Sequence, residues 1–169
     1  TYQARIRSVL TGLGFAVSTY GADHMTAAHD PLFTDESSFM IKSVKPLGIY
    51  KPMHPTEITA DKVRNYLRLE NLWRMMDALG LCVFGYAPRG VMTLDLMVQS
   101  LNAITGWNAS LFELMKSAER ASIIARAFNS REGFTIKDDR LPERLFDPKP
   151  DGPNAGQWIF KKEDRNQSM

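Results

Sequence analysis

Apolar positions mark one long helix near the middle of the chain. Between Ala60 and Leu79 there is no glycine or proline, and apolar residues recur at steps of three and four, which gives a helix one broad apolar face. Thr59 is suited to cap the first turn. Gly80 tolerates the left-handed conformation that ends many helices. The pattern therefore predicts a helix that ends immediately before Gly80.

Two further helices are predicted downstream. Thr93 precedes the segment 94–104, whose apolar residues lie on one side of a helix. Ser110 and Glu113 have the spacing of a capping box, in which each side chain accepts a hydrogen bond from the other residue's backbone N–H. The third helix begins there and ends before Gly133, where glycine again favours termination.

The first part of the chain is predicted to be mostly irregular. Prolines and glycines interrupt any long helical period over residues 1–58. Short helices are plausible within residues 5–13 and within residues 35–43. We expect the rest of this stretch to be loop packed over a neighbouring surface.

The composition changes again from Asp138 onward. Prolines and glycines predict an extended surface segment there, followed by a frayed polar tail at residues 161–169. No segment alternates apolar and polar residues between hairpin turns, so no sheet is predicted. The expected fold is all-α, an irregular helical bundle with one domain over residues 1–160.

Composition and charge exclude several classes of function. Of 169 residues, 44% are hydrophobic and 24% charged, the balance of a globular protein. The net charge of +2 comes from interspersed acidic and basic residues, so nucleic acid is not an expected partner. No apolar run approaches the roughly 18 residues of a membrane span. No secretion signal is recognisable, and a single cysteine excludes a disulfide scaffold; the expected location is the cytoplasm.

The single cysteine, Cys82, allows three interpretations. Its apolar neighbours favour a buried thiol that acts as a small core residue. A nucleophile is disfavoured, because the negative end of the preceding helix dipole opposes a thiolate. A metal-cluster ligand has no such handicap, since the metal stabilises the thiolate.

The remaining candidate chemistry is sparse. His24, His29 and His54 lack the i, i+4 pairing of helical zinc sites, so a surface or structural role is favoured for each. Glycine-rich phosphate-binding motifs are absent from the sequence.

Five short motifs lie in a fixed order between residues 21 and 144. They are 21–24 (GADH), 77–82 (DALGLC), 102–107 (NAITGW), 119–120 (ER) with 126–134 (RAFNSREGF), and 137–144 (KDDRLPER). Together they resemble the motifs of the aldehyde ferredoxin oxidoreductase family, whose members contain tungsten and a pterin. The part of the sequence that contains these motifs resembles the last helical domain of the family's longer chain.

The resemblance implies specific cofactor roles for one short segment and one histidine. Cys82 would be the fourth thiolate ligand of a [4Fe–4S] cluster. Asp77 would accept hydrogen bonds from the ring of a tungstopterin (or molybdopterin), with the Leu81 backbone near the same ring, while Gly80 allows the tight turn between them. His24 would lie close to the substrate as a proton donor or acceptor.

The implied reaction is oxidation of an aldehyde to a carboxylic acid, with electrons leaving through the cluster to ferredoxin or a similar carrier. The other three cluster cysteines are not in this sequence, so the remaining domains of a parent enzyme are the expected partners. Both ends look cut from a longer chain, and we expect the isolated chain to be inactive and to bind neither cofactor.

A helical scaffold or interaction domain is the alternative. In that case Cys82 is a buried core residue and Asp77 an ordinary exposed helix carboxylate. Convergence of Asp77, Cys82 and His24 on one open face favours the cofactor interpretation, and a sealed Cys82 favours the scaffold.

Overall fold

The architecture is helical throughout the part of the chain that the structure describes. The computed structural model describes residues 9–19, 21–26, 28–152, 155–158 and 160. The α-helices are α1 (Val9–Val17), α2 (Phe39–Ser43), α3 (Ala60–Ala78), α4 (Leu94–Thr105) and α5 (Leu111–Arg131), and short 3-10 helices cover Asp30–Phe33, Lys45–Leu47, Ile136–Asp138 and Glu143–Leu145. Within these ranges the only β pairing is an isolated bridge between Tyr86 and Met92. The all-α prediction is confirmed.

Local capping sets the starts of the three long helices, as predicted. The Thr59 hydroxyl accepts from the Lys62 N–H at 3.1 Å, and Thr93 caps α4 in the same way. At α5 both halves of the capping box form, with Ser110 N–H donating to the Glu113 carboxylate at 2.8 Å. These hydrogen bonds satisfy backbone donors that a helix start otherwise leaves free.

The first described helix overlaps the predicted short helix within residues 5–13 and continues beyond it. It covers Val9–Val17, and residues 1–8 lie outside the described part of the chain. Its first turn is fixed by distant partners: Val9 N–H donates to the Pro55 carbonyl at 2.8 Å, and Leu10 N–H donates to the Asp30 carboxylate at 2.7 Å. Tertiary contacts therefore position this helix.

The short helix predicted within residues 35–43 is present as α2, at the end of that range. The Asp35 carboxylate accepts from the Ser37 N–H at 2.8 Å and folds these residues into a turn. The helix begins only after Ser38, whose hydroxyl accepts from Met40 N–H at 3.2 Å.

The core is built around α3, which packs against both α5 and α1. Its buried side chains include Leu69, Leu72, Trp73 and Met76, at the three- and four-residue steps that the sequence indicated. Because α3 is central, its C-terminal end is held in a fixed position by packing from several elements.

A buried ion pair ties the segment around residue 30 to α3. The Lys62 ammonium lies 2.7 Å from the Asp30 carboxylate, and both side chains are almost fully buried. Lys62 also donates to the His54 carbonyl. Since Asp30 also binds the first turn of α1, this pair fixes α1, α3 and the residues next to His29 relative to one another.

The segment after Asp138 is anchored rather than merely extended over the surface. Phe146 and Phe160 are buried and pack with Val9 in a small second core, their rings 6.1 Å apart. The predicted tail at residues 161–169 lies outside the described residues, and the boundary of the 1–160 domain stays a prediction. None of the described helices is long and apolar enough to cross a membrane.

Candidate functional site

The end of α3 is a tight turn that presents the DALGLC motif. Leu81 N–H donates to the Met76 carbonyl at 2.8 Å, and Gly80 N–H donates to the Asp77 carbonyl at 3.1 Å. This is the Schellman arrangement, which requires a left-handed residue after the helix. Gly80 supplies it with φ of 68°. The turn reverses the chain directly between Asp77 and Cys82.

The thiol of Cys82 is exposed and free. The interpretation of Cys82 as a buried core residue is therefore wrong. Leu81 and Val83, on either side of it, are the residues that pack against the core, so the chain buries the two flanking side chains and leaves the sulfur outside. The Cys82 carbonyl accepts from Gly85 N–H at 2.9 Å, which starts a compact loop.

The GADH segment is held against the same end of α3. The indole N–H of Trp73 donates to the Met25 carbonyl at 3.0 Å. One residue further, Arg74 donates to the Thr19 hydroxyl at 3.5 Å. These bonds fix residues on both sides of His24 to the last turns of the helix that ends in the DALGLC motif.

The loop 82–92 is closed by its own backbone. Ala87 N–H donates to the Met92 carbonyl at 2.8 Å, and Gly90 N–H donates to the Tyr86 carbonyl at 2.7 Å. A side chain at Gly90 has no room, since its Cβ would lie 2.1 Å from the carbonyl carbon of Gly85. The close approach holds the loop in one shape and thereby positions Arg89.

Arg89 connects this loop to the two histidines. Its Nη2 lies 3.0 Å from Nδ1 of His29, and its guanidinium carbon lies 5.4 Å from the centre of the Phe84 ring, within the range of a cation–π contact. Nε2 of His29 is 2.6 Å from the His24 carbonyl, and the two imidazole rings stack with centroids 6.0 Å apart. A continuous set of contacts thus runs from the Cys82 loop to His24.

These contacts fix the protonation of His29. Arginine only donates hydrogen bonds and a carbonyl only accepts them, so Nδ1 accepts from Arg89 and Nε2–H donates to the His24 carbonyl. Burial lowers the pKa of His29 below its ordinary value, and the positive charge of Arg89 lowers it further. His29 is therefore the neutral Nε2–H tautomer. His24 is partly exposed, with Nδ1 3.9 Å from the Asp23 carboxylate.

Two charged side chains, Glu70 and Arg74, are largely buried on α3 in the two turns that precede Asp77. Glu70 and Arg74 lie one turn apart on α3 with 3.5 Å between carboxylate and guanidinium. Burial raises the pKa of Glu70. Burial lowers the pKa of Arg74, which the negative charge of Asp77 counteracts. Asp77 itself is exposed at the end of this helix.

Comparison with known proteins identifies the family of this chain. The family model described as "Aldehyde ferredoxin oxidoreductase, domains 2 & 3" matches residues 1–167. The chain belongs to the aldehyde ferredoxin oxidoreductase family. The tungsten-containing aldehyde ferredoxin oxidoreductases of Pyrococcus horikoshii and Thermococcus kodakarensis are each similar to it, with 34% identity over 154 residues, and that of Pyrococcus furiosus has 32% identity over the same length.

In each of these relatives the match covers 90% of this chain but only 23% of the relative. The chain therefore corresponds to an aldehyde ferredoxin oxidoreductase domain from the C-terminal helical part of the family. Its relatives are oxidoreductases named for tungsten.

The described residues can contribute one thiolate ligand, that of Cys82, to a cofactor of this family. Within the described ranges, no three His, Cys, Asp or Glu side chains come together as a metal site. The Cys82 thiol is nevertheless exposed and not tied up in a disulfide, which a shared ligand requires. Two surface clefts, of about 910 and 420 Å³, include none of Asp77, Cys82 and His24 in their linings, although the larger one reaches Thr19 and Gly21 at the start of the GADH segment.

Sequence reasoning missed two residues of this candidate site. His29 was expected to be a surface or structural histidine, and nothing indicated Arg89. They lie 60 positions apart, so no local pattern relates them. The only available signal was the segment Ala87-Pro88-Arg89-Gly90, whose proline and glycine are typical of a rigid turn that displays the residue between them.

Proposed function

We propose that this chain contributes one wall of a cofactor site in an enzyme that oxidises an aldehyde to a carboxylic acid. Cys82 supplies the fourth thiolate of a [4Fe–4S] cluster. Asp77 accepts hydrogen bonds from the amino edge of a tungstopterin or molybdopterin, with the Leu81 backbone beside the ring. His24 lies near the substrate.

The observation that carries this proposal is convergence at the end of α3. Trp73 fixes the GADH segment there through its bond to the Met25 carbonyl at 3.0 Å, and the Schellman turn places Asp77 and Cys82 at the same end. Arg89 then joins the Cys82 loop to His29 at 3.0 Å. Two motif-bearing segments from distant parts of the sequence, GADH and DALGLC, thus lie at the same end of α3.

The overall chemistry balances with water as the oxygen source and an external electron carrier as the oxidant. An aldehyde and water give a carboxylic acid, two protons and two electrons. When bound, the metal–pterin centre accepts the electron pair, and the cluster passes electrons on, with ferredoxin or a similar carrier as the final acceptor. This chain's own part is to hold the cofactors through Asp77 and Cys82 and to place the imidazole of His24 where it can give or take a proton.

Exposed apolar side chains on α5 and just before it support the remaining domains of the enzyme as the main partner of this chain. Large apolar residues lie exposed on several sides of α5 and just before it, namely Trp107, Phe112, Ile123, Ile124 and Phe128. Several large apolar side chains exposed on one helix mark a surface that another part of a larger structure covers. Since the relatives are about four times as long as the matched segment, domains outside this chain are the expected cover.

The scaffold alternative loses its main support, because it required a buried Cys82 and the thiol is exposed. The cofactor proposal is tested by replacing Asp77→Asn in the enzyme expressed from its complete reading frame. An amide loses the negative charge and half of its acceptor capacity, so we expect tungsten and pterin content to fall while iron content is kept. Glu57→Gln, an exposed carboxylate away from the α3 end, is the control. Unchanged pterin content in both variants would contradict the role of Asp77.

A further inference from the structure

The Arg89 guanidinium is a cation whose recorded partners are uncharged. In the described part of the chain, no carboxylate forms an ion pair with it. Its partners are the neutral acceptor nitrogen of His29 and the face of the Phe84 ring. Both orient the group, and neither neutralises it.

This cation is also incompletely hydrogen-bonded. Nε of Arg89 is buried and finds no acceptor among the described residues, although buried polar groups in proteins are nearly always paired. Burial lowers the pKa of Arg89, which reflects the cost of holding the charge where water reaches it poorly. The residue as a whole is partly exposed, so a ligand can approach it from outside.

Backbone packing and neighbouring hydrogen bonds constrain this position. Gly90, next to Arg89, packs against the Gly85 backbone with no space for a side chain. His29 is held in turn by the His24 carbonyl at 2.6 Å, and the neighbouring Asp30 by its buried pair with Lys62. A preorganised guanidinium loses little entropy on binding and matches a planar or tetrahedral oxyanion with two parallel donors.

We propose that Arg89 is an oxyanion-binding residue, held in place by His29, for a carboxylate or phosphate group that enters between the Cys82 loop and His24. The binding itself follows from the unpaired guanidinium; the identity of the anion rests on the proposed function. That function offers two sources: the carboxylate of the product and the phosphate carried by a pterin cofactor. His29 acts as a positioning residue, because it touches Arg89 rather than the ligand.

The test compares wild type with Arg89→Gln in the complete, cofactor-loaded enzyme. Two quantities are measured: the binding of acetate and of inorganic phosphate by calorimetry at constant ionic strength, and the content of tungsten, pterin and iron. Arg64→Gln is the matched control, since Arg64 is an exposed arginine near the start of α3 that pairs with Asp61 and lies outside the five motifs.

Each source predicts a different result. If the product carboxylate is the ligand, Arg89→Gln weakens acetate binding about tenfold or more and leaves the pterin content intact. If the cofactor phosphate is the ligand, Arg89→Gln lowers pterin and tungsten content while iron is retained. Anion affinities and cofactor contents equal to those of the control variant overturn the proposal.

A second variant covers the case in which Arg89→Gln does not fold. Arg89→Lys keeps the charge and the aliphatic stem but loses the paired donors. Severalfold weaker anion binding or a lower pterin content in Arg89→Lys supports the proposal, and wild-type values of both anion affinities and of the pterin content overturn it. The proposed function fails on a different result, namely a cluster that persists when Cys82 is replaced. That result does not change the outcome of the anion-binding test.

Discussion

Arg89 and His29, 60 positions apart in the sequence, meet with 3.0 Å between Nη2 and Nδ1. The contact joins the loop that follows Cys82 to the segment that contains His24. Because arginine donates, the imidazole must accept, and this single requirement fixes the tautomer of His29 and the direction of its second bond to the His24 carbonyl.

The tautomer can be measured directly. We expect the ¹⁵N shifts of His29 to show a protonated Nε2 and an unprotonated Nδ1 at neutral pH. His29→Asn keeps an acceptor near the Nδ1 position, and His29→Gln keeps a donor near the Nε2 position. Each variant should therefore lose about one hydrogen bond, which lowers the free energy of unfolding by roughly 1 kcal/mol. A protonated Nδ1 would show that Arg89 and His29 are not bonded as described.

Stability should depend on pH through the same residue. The pKa of His29 is lowered in the folded state from its ordinary 6.5, first by burial and then by Arg89. As pH falls below about 6.5, the unfolded chain binds a proton that the folded chain does not, so the free energy of unfolding decreases. Urea titrations at a series of pH values should show this loss in wild type and a smaller one in His29→Gln. Equal slopes in the two proteins would contradict it.

Gly90 should tolerate no side chain. A Cβ there would lie 2.1 Å from the Gly85 carbonyl carbon and 2.5 Å from the Phe84 carbonyl oxygen, so Gly90→Ala must shift the backbone, at a cost of about 2 kcal/mol or more. At Gly85 the added Cβ would lie 3.5 Å from the Cys82 carbonyl. Gly85→Ala should be neutral or slightly stabilising, by up to about 1 kcal/mol. Equal unfolding free energies for the two variants would argue against the packed loop.

The buried Asp30–Lys62 pair predicts a pronounced asymmetry between single and double variants. Lys62→Met leaves the Asp30 carboxylate buried without a counter-charge and should cost about 3–5 kcal/mol. Adding Asp30→Asn removes that charge and keeps an acceptor for the Leu10 N–H, so the double variant should recover part of the loss. Chemical denaturation gives both values. A double variant as unstable as Lys62→Met alone would contradict the pairing.

The long helices could be predicted because their ends are encoded locally. Thr59 bonds to the N–H of Lys62, three positions away, and Ser110 pairs with Glu113 over the same distance. Such signals survive in any tertiary context. The start of α1 could not be predicted in this way, since its first turn is fixed by the Asp30 carboxylate, 20 positions from its Leu10 partner.

The candidate site was predicted in part. The motif around Cys82 singled out this residue as a candidate ligand. The general preference of cysteine for the interior predicted a buried thiol, whereas Cys82 is exposed. Leu81 and Val83 pack inward, so the apolar neighbours that suggested a buried thiol are the reason that Cys82 points outward. Arg89 was missed because its partner is brought to it only by the fold.

The most direct test of the account is the iron–sulfur centre of a Cys82→Ser variant of the complete enzyme. Iron content and electron paramagnetic resonance spectra of the reduced and oxidised protein are compared with those of wild type. We expect the four-iron signal to disappear, through loss of the cluster or of one iron from it, because a thiolate ligand is removed. A [4Fe–4S] cluster with the iron content and spectrum of wild type would contradict the central claim that Cys82 is a cluster ligand.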